Sequence, residues 1–138
     1  MTLQKLGANH IIERSSQNIA NEVTKITDGK GVDIIIDHVG SATWATSIAI
    51  LKIGGKMAVC SMTSGNDATV PGRMFYSKQI TIMGALLGSK RQLVKLMNFI
   101  RGNKTLPIID SIFELHNAEE ALEMMEAGMH AGKILLKC

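Results

Sequence analysis

The sequence lacks a G-x-G-x-x-G turn, the glycine-rich loop whose backbone amides hold phosphate groups between a strand and a helix. It has no apolar run that approaches the roughly 18 residues of a membrane-spanning helix. Its 2 cysteines, Cys60 and Cys138, form no C-x-x-C pair and no metal-ligand spacing with the 4 histidines. These absences argue against a phosphate cradle of this type, a membrane span and a cysteine-based metal site.

Charge of either sign is scattered along the chain. The 15 basic and 12 acidic residues leave a formal net charge of +3, and no basic run exceeds the pair Lys90-Arg91. Nucleic-acid binding therefore has little support. Residues 1–6 lack the order of a secretory signal, so we expect a cytoplasmic protein with neither a membrane nor a nucleic acid as partner.

The 138 residues, 46% hydrophobic and 20% charged, are typical of one globular domain, and we predict a single domain over residues 1–138. Strand and helix patterns alternate with short connections, which predicts a mainly parallel sheet with right-handed crossovers. Residues 32–39 read as a parallel strand covered on both faces. The predicted strands are 10–12, 32–39, 57–60, 79–84, 112–115 and 133–136, and the predicted helices are 18–27, 41–53, 90–100 and 117–128.

Several features predict where these helices begin and end. Ser41 or Thr43 is expected to cap the second helix, and Gly54-Gly55 to end it. Asn117 followed by Glu120 predicts a capping box for the last helix. A polar loop through Ser64, Asn66 and Pro71 is expected before the strand at 79–84.

Four stretches carry a family resemblance: LGANHII at 6–12, GKGVDIIIDHVG at 29–40, LKIGGK at 51–56 and AGKIL at 131–135. In this order and spacing the sequence resembles the medium-chain dehydrogenase/reductases, which include zinc-dependent alcohol dehydrogenases and zinc-free quinone oxidoreductases. Residues 73–84 are similar to the segment that enters the sixth strand of quinone-reductase-like members.

The resemblance implies that residues 1–138 are a partial NAD(P)-binding domain, the C-terminal portion of a larger enzyme. It implies an α/β, partial Rossmann-like fold, with helices on both faces of a mainly parallel sheet that lacks its first two strands. It also implies NAD or NADP as cofactor and hydride transfer with an alcohol, aldehyde or quinone-like substrate. The catalytic domain, the glycine-rich turn and any zinc ligands are expected to lie outside these residues. We therefore predict no catalytic residue and no metal site within the chain, which is expected to be inactive alone.

The candidate cofactor residues follow the strands, because ligands of such sheets lie beyond the carboxyl ends of the strands. Without the resemblance, the same residues could form a plain turn, a solvated loop, part of the core or, for the lysine, an exposed side chain. The resemblance implies that His38, Val39 and Gly40 contact ribose or adenine, and that Ser61, Met62 and Thr63 contact the nicotinamide ribose. It implies that Gly84, Ala85 and Leu86 contact the carboxamide and that Lys133 contacts the pyrophosphate.

Asp33 and Asp37 lie on the same side of the pleat of the strand at 32–39. We interpret both as ordinary strand-end charges rather than as a pair of catalytic carboxylates.

The missing strands pose a pairing problem. In the sheet order 3-2-1-4-5-6, the third strand would lie about 14 Å from the fourth once strands 1 and 2 are absent. The strand at 10–12, the strand at 133–136 or a second copy could pair with the exposed edge. A homodimer is the simplest expectation, and family members also commonly join their sixth strands, here the segment from Ile80 to Leu87.

Two other functions remain open. The chain could be a non-catalytic oligomeric assembly or binding module, or a methyltransferase-like nucleotide fold. The methyltransferase-like alternative is disfavoured because it needs its own glycine-rich loop.

Overall fold

The computed structural model describes residues 2–103 and 106–138. The chain divides into two compact units, Leu3–Leu87 and Gly88–Cys138. No helix within the described residues is both long and apolar enough to cross a membrane. The single domain over residues 1–138 stays a prediction.

The first unit contains three strands and the helices that connect them. After a short helix α1 at Thr2–Lys5, its elements are α2 at Ile19–Ile26, β1 at Val32–Asp37, α3 at Ser41–Ile50, β2 at Leu51–Val59, α4 at Gly72–Ser77 and β3 at Thr81–Gly84. Asn18 caps α2 with its side chain, which accepts a hydrogen bond from the backbone of Asn21 at 3.0 Å.

The second unit has a smaller sheet. Its elements are α5 at Lys90–Asn103, β4 at Ile109–Glu114, a 3-10 turn at Leu115–Asn117, α6 at Ala118–Glu126 and β5 at Lys133–Lys137. β4 and β5 pair in parallel.

The strands of the first unit run parallel in the order β1-β2-β3. Ile35, Met57 and Ile82 lie at one level of the sheet, and Asp37, Val59 and Gly84 lie at the level where the strands end. The predicted α/β class with parallel strands is confirmed.

A small apolar core lies against one face of this sheet. Ile48 of α3, Leu51 and Met57 are buried completely or almost so, at 0%, 1% and 0% exposure, and Ile80 joins them. Ile35 of β1 is one of the half-buried residues that pack around this group. Each fully buried side chain of this size contributes about 1.5–3 kcal/mol to folding, so α3 is held on the sheet mainly by these contacts.

The opposite face of the sheet is open in this unit. Ile34 and Ile36 of β1 remain 65% and 66% exposed, and Met83 of β3 is 46% exposed. The expectation that β1 is covered on both faces is therefore wrong for the residues described. When parallel strands lie side by side in sequence order, right-handed crossovers place the connecting helices on the same face of the sheet. The connecting helices of this unit therefore leave the opposite face of the sheet uncovered.

Two of the predicted strand pairings do not form. Residues 10–12 are not a strand in the structure, and the strand at the chain end, β5, pairs with β4 rather than with β1. An extended segment becomes a strand only beside a hydrogen-bonded neighbour, and among the described residues β1 pairs with β2 alone. The outer edge of β1 therefore has no strand partner within the described part of the chain.

Predicted helix ends also differ from the structure. α3 ends at Ile50, and Gly54-Gly55 lie inside β2. Neither Ser41 nor Thr43 caps α3, whose N-cap is Gly40, and Asn117 makes no side-chain cap to α6. The loop through Ser64, Asn66 and Pro71 is followed by the helix α4, which the sequence patterns did not predict. The hydroxyl of Ser41 instead donates to the carbonyl of Ser64, and that of Thr43 donates to Asp37 and to the carbonyl of Gly40.

Two glycines before β1 provide a matched test of the packing between this turn and β2. Gly29 and Gly31 both have positive φ, at 76° and 79°. A Cβ on Gly31 would lie 2.6 Å from the carbonyl oxygen of Ile50, whereas a Cβ on Gly29 would have nothing within 4 Å.

We expect Gly29→Ala to lower the free energy of unfolding by about 1–2 kcal/mol through backbone strain alone. We expect Gly31→Ala to lower it by about 3 kcal/mol or more, because overpacking adds to the strain. Urea unfolding measures both, and equal losses would contradict the close contact.

Candidate functional site

The carboxyl ends of β1, β2 and β3 lie side by side. The backbone N–H of Cys60 donates to the carbonyl of Asp37 at 3.0 Å, and that of Ala85 donates to the carbonyl of Val59 at 2.8 Å. The parallel pairing therefore extends one residue beyond the strands and brings three loops to one edge, where open α/β sheets bind their ligands.

A cleft of about 460 Å³ lies between the ends of β2 and β3. It includes most of the candidates predicted on these two loops, together with Val59 and the free thiol of Cys60. Mostly apolar walls with a few polar groups suit a flat ring that also carries hydrogen-bonding substituents. The candidates that line the cleft are Ser61, Met62, Gly84, Ala85 and Leu86.

The turn that follows β1 contacts the loop that follows β2. Both the N–H and the Oγ of Ser64 donate to the carbonyl of Val39, at 2.7 and 2.8 Å. Oγ1 of Thr63 donates over 3.4 Å to the carbonyl of His38 and, at the same distance, to that of Val39. The candidates at 38–40 and 61–63 therefore belong to one connected edge.

Gly40 permits this approach. Its φ is +100°, and a Cβ there would lie 2.9 Å from Cα of Met62 and 3.1 Å from the carbonyl oxygen of Gly65. A side chain at this position would be strained and would push the two loops apart.

Asp37 is buried at the root of this edge, with 5% of its surface exposed. Its Oδ1 accepts hydrogen bonds from the N–H groups of Val39 and Gly40 at 2.9 and 3.0 Å. Its Oδ2 accepts from the hydroxyls of Thr43 and Ser47 on α3, at 2.7 and 3.1 Å. Burial alone would raise the pKa of the Asp37 carboxyl, but these donors outweigh it and hold the pKa below its ordinary value.

The interpretation of Asp37 as an ordinary strand-end charge is therefore wrong, because its carboxylate is buried and saturated with donors. Asp33 fits that interpretation, since its exposed carboxylate forms an ion pair with Lys52 that lowers its pKa. The signal missed for Asp37 is the pair of hydroxyls at Thr43 and Ser47, which are four residues apart and so share one face of α3. Ser64 was missed because a serine in a polar loop carries no local pattern.

Lys133 lies in the other unit. It is exposed, begins β5, and its N–H donates to the carbonyl of Ile108 at 2.8 Å. Its predicted role at the pyrophosphate stays a prediction.

Among residues 2–103 and 106–138, no three His, Cys, Asp or Glu side chains are arranged to hold a metal ion. The donor set that a zinc site needs is thus not supplied by this part of the chain.

The lowered pKa of Asp37 predicts how stability depends on pH. The folded carboxyl holds its proton more weakly than the unfolded one, so its stabilising effect is present above the ordinary value of about 3.9 and is lost as pH falls through the lower folded value. We expect Asp37→Asn to flatten the fall of unfolding free energy in acid, as measured by urea unfolding at several pH values. High salt screens the exposed Asp33–Lys52 pair. A wild-type slope that disappears in high salt, or is unchanged by Asp37→Asn, would contradict the assignment to Asp37.

The sequence is similar to those of known alcohol dehydrogenases and of a quinone oxidoreductase-like protein. The NAD-dependent alcohol dehydrogenase of Sulfolobus acidocaldarius is 31% identical over 136 residues, which cover 96% of this chain and 38% of that protein. Quinone oxidoreductase-like protein 2 of Bos taurus is 25% identical, over 94% of this chain and 40% of that protein. The crystal structure of the alcohol dehydrogenase from Aeropyrum pernix superposes with a TM-score of 0.87 at 26% identity, over 98% of this chain and 38% of that one.

The chain thus spans about two fifths of the length of the relatives it matches. The sequence profile of the family described as zinc-binding dehydrogenase matches residues 2–102. The resemblance found in the sequence is confirmed, and the structural neighbours are dehydrogenases of the same fold. The chain belongs to the zinc-binding dehydrogenase family of the medium-chain dehydrogenase/reductases.

Proposed function

We propose that this chain forms one wall of a nicotinamide-dinucleotide crevice in an oxidoreductase. The parent reaction is hydride transfer between NAD or NADP and an alcohol, aldehyde or quinone-like substrate. The observation that carries the proposal is the cleft between the ends of β2 and β3, on the edge that the turn after β1 also joins. The name of the Sulfolobus relative, an NAD-dependent alcohol dehydrogenase, supports the same cofactor class.

Each loop has a part in this proposal. Gly84, Ala85 and Leu86 present backbone groups to the carboxamide, and the loop at 61–63 meets the nicotinamide ribose. The turn at 38–40 lies against ribose or adenine. When bound, the dinucleotide supplies the hydride acceptor or donor, while these residues bind and orient it. No catalytic residue is assigned to this chain, and the cytoplasmic location expected from the sequence stays a prediction.

A non-catalytic oligomeric assembly is the second candidate. The exposed Ile34 and Ile36 on the open face of β1 favour it, because an exposed apolar patch beside an unpaired strand edge marks a surface for another polypeptide.

A substitution that fills the cleft tests cofactor binding. A Cβ on Gly84 would have nothing within 4 Å, and its φ is not in the positive range, so Gly84→Ile should fold. We expect the wild-type chain to bind NADH or NADPH with a Kd below about 100 μM, and Gly84→Ile to raise that Kd at least about tenfold, because the side chain occupies the cleft. Fluorescence titration measures both.

Thr81→Ile is the matched control, since Thr81 is an exposed residue of the same strand that does not line the cleft. Its Kd should match that of the wild type. A stable wild-type fold that binds neither nucleotide would favour the assembly candidate over the cofactor proposal.

We also propose a homodimer joined through the segment from Ile80 to Leu87, along the edge of β3 that pairs with no other strand among the described residues. Leu87 is 94% exposed just beyond this strand. We expect Leu87→Glu to convert a dimer into a monomer in size-exclusion chromatography with light scattering, because it places a charge in the interface. Ile53→Glu, at an exposed residue of the central strand β2, should remain dimeric. A wild-type monomer at high micromolar concentration would contradict this dimer.

A further inference from the structure

Ser64 joins the turn after β1 to the start of α3. Its N–H and its Oγ both donate to the carbonyl of Val39, and the Oγ also accepts a hydrogen bond from the N–H of Ala42 at 3.0 Å. Its own carbonyl accepts from the Oγ of Ser41, also at 3.0 Å. Ser64 therefore caps α3 from a separate loop, at a helix whose own N-cap, Gly40, has no side chain.

Asp37 holds the same turn from the other side. Val39 is the shared residue, because its N–H donates to the Asp37 carboxylate while its carbonyl accepts from Ser64. Asp37 is also anchored to α3 through Thr43 and Ser47. A buried carboxylate and a loop serine thus fix one backbone segment from both ends, although the structure shows no hydrogen bond between them.

We propose that Asp37 and Ser64 are a pair of positioning residues that act through Val39 to hold the turn 38–40 and the loop 61–65 in the arrangement that receives the dinucleotide. This pairing rests on the proposed function, and it identifies the residues that hold the loops of the site in place. A ligand that meets a preformed edge does not have to order these loops on binding, which improves affinity without any direct contact from Asp37.

Amide hydrogen exchange followed by NMR, without nucleotide, tests the pair. In Asp37→Ala, the amides of Ser64 and Ala42 keep their own acceptors, yet we expect them to exchange at least about fivefold faster because the turn they hold has loosened. In Ser64→Ala, we expect the amides of Val39 and Gly40 to respond in the same way. Asp37→Asn keeps an amide oxygen that can accept from the N–H groups of Val39 and Gly40, and Ser64→Thr keeps a hydroxyl, so both conservative variants should restore protection. Asp33→Asn is the control on the same strand.

Titration with NADH completes the test. Both alanine variants should raise the Kd at least about fivefold, while the conservative variants and Asp33→Asn stay within about twofold of the wild type. If Asp37→Ala does not fold, Ser64→Ala with Ser64→Thr decides the question, because Ser64 lies in an exposed loop.

The exchange result separates this proposal from the proposed function. Two results would overturn the positioning pair. One is faster exchange only in amides whose own hydrogen-bond acceptor was removed. The other is an equal increase in the exchange rates of the amides of β2. A wild-type chain that shows the expected exchange but binds no NADH would overturn the proposed function and leave the pair as a structural clamp only.

Discussion

The side chains of Ile35, Met57 and Ile82 lie at one level across β1, β2 and β3 and pack into the same small core. A slip of one residue in any strand would turn its apolar side chain away from this core, so burial fixes the register of the parallel sheet. The same register brings the strand ends to one level. The cleft and the contact between the loops at 38–40 and 61–65 both depend on this alignment.

The site that results is built mostly from backbone. Gly40 lets two loops approach closely, and Gly84 leaves space beside the cleft. Asp37 is the one buried ionisable side chain in this unit's described residues, and it binds backbone amides and hydroxyls of its own unit. This part of the chain therefore offers shape and hydrogen-bonding groups to a ligand. Such a site suits a cofactor that brings its own chemistry.

Local patterns in the sequence predicted the helices and strands that are determined by interactions between residues close together in the chain. The apolar run of β1 and the spacing in α2 led to elements close to those observed, and Asn18 caps α2. Residues 10–12 were wrongly predicted as a strand because an extended segment also needs a neighbour. Asp37 and Ser64 escaped prediction for a similar reason. The bond from Ser64 to Val39 spans 25 residues, and no spacing rule at the level of helix or strand reports it.

We propose that the aligned ends of β1, β2 and β3 form one cofactor-binding edge. Amide chemical shifts, followed by NMR during titration with NADH, show where the nucleotide binds. We expect the largest changes at 38–40, 61–63 and 84–86, with little change at the opposite ends of the same strands. Changes concentrated elsewhere in the unit Leu3–Leu87, or spread evenly over it, would rule out binding at this edge.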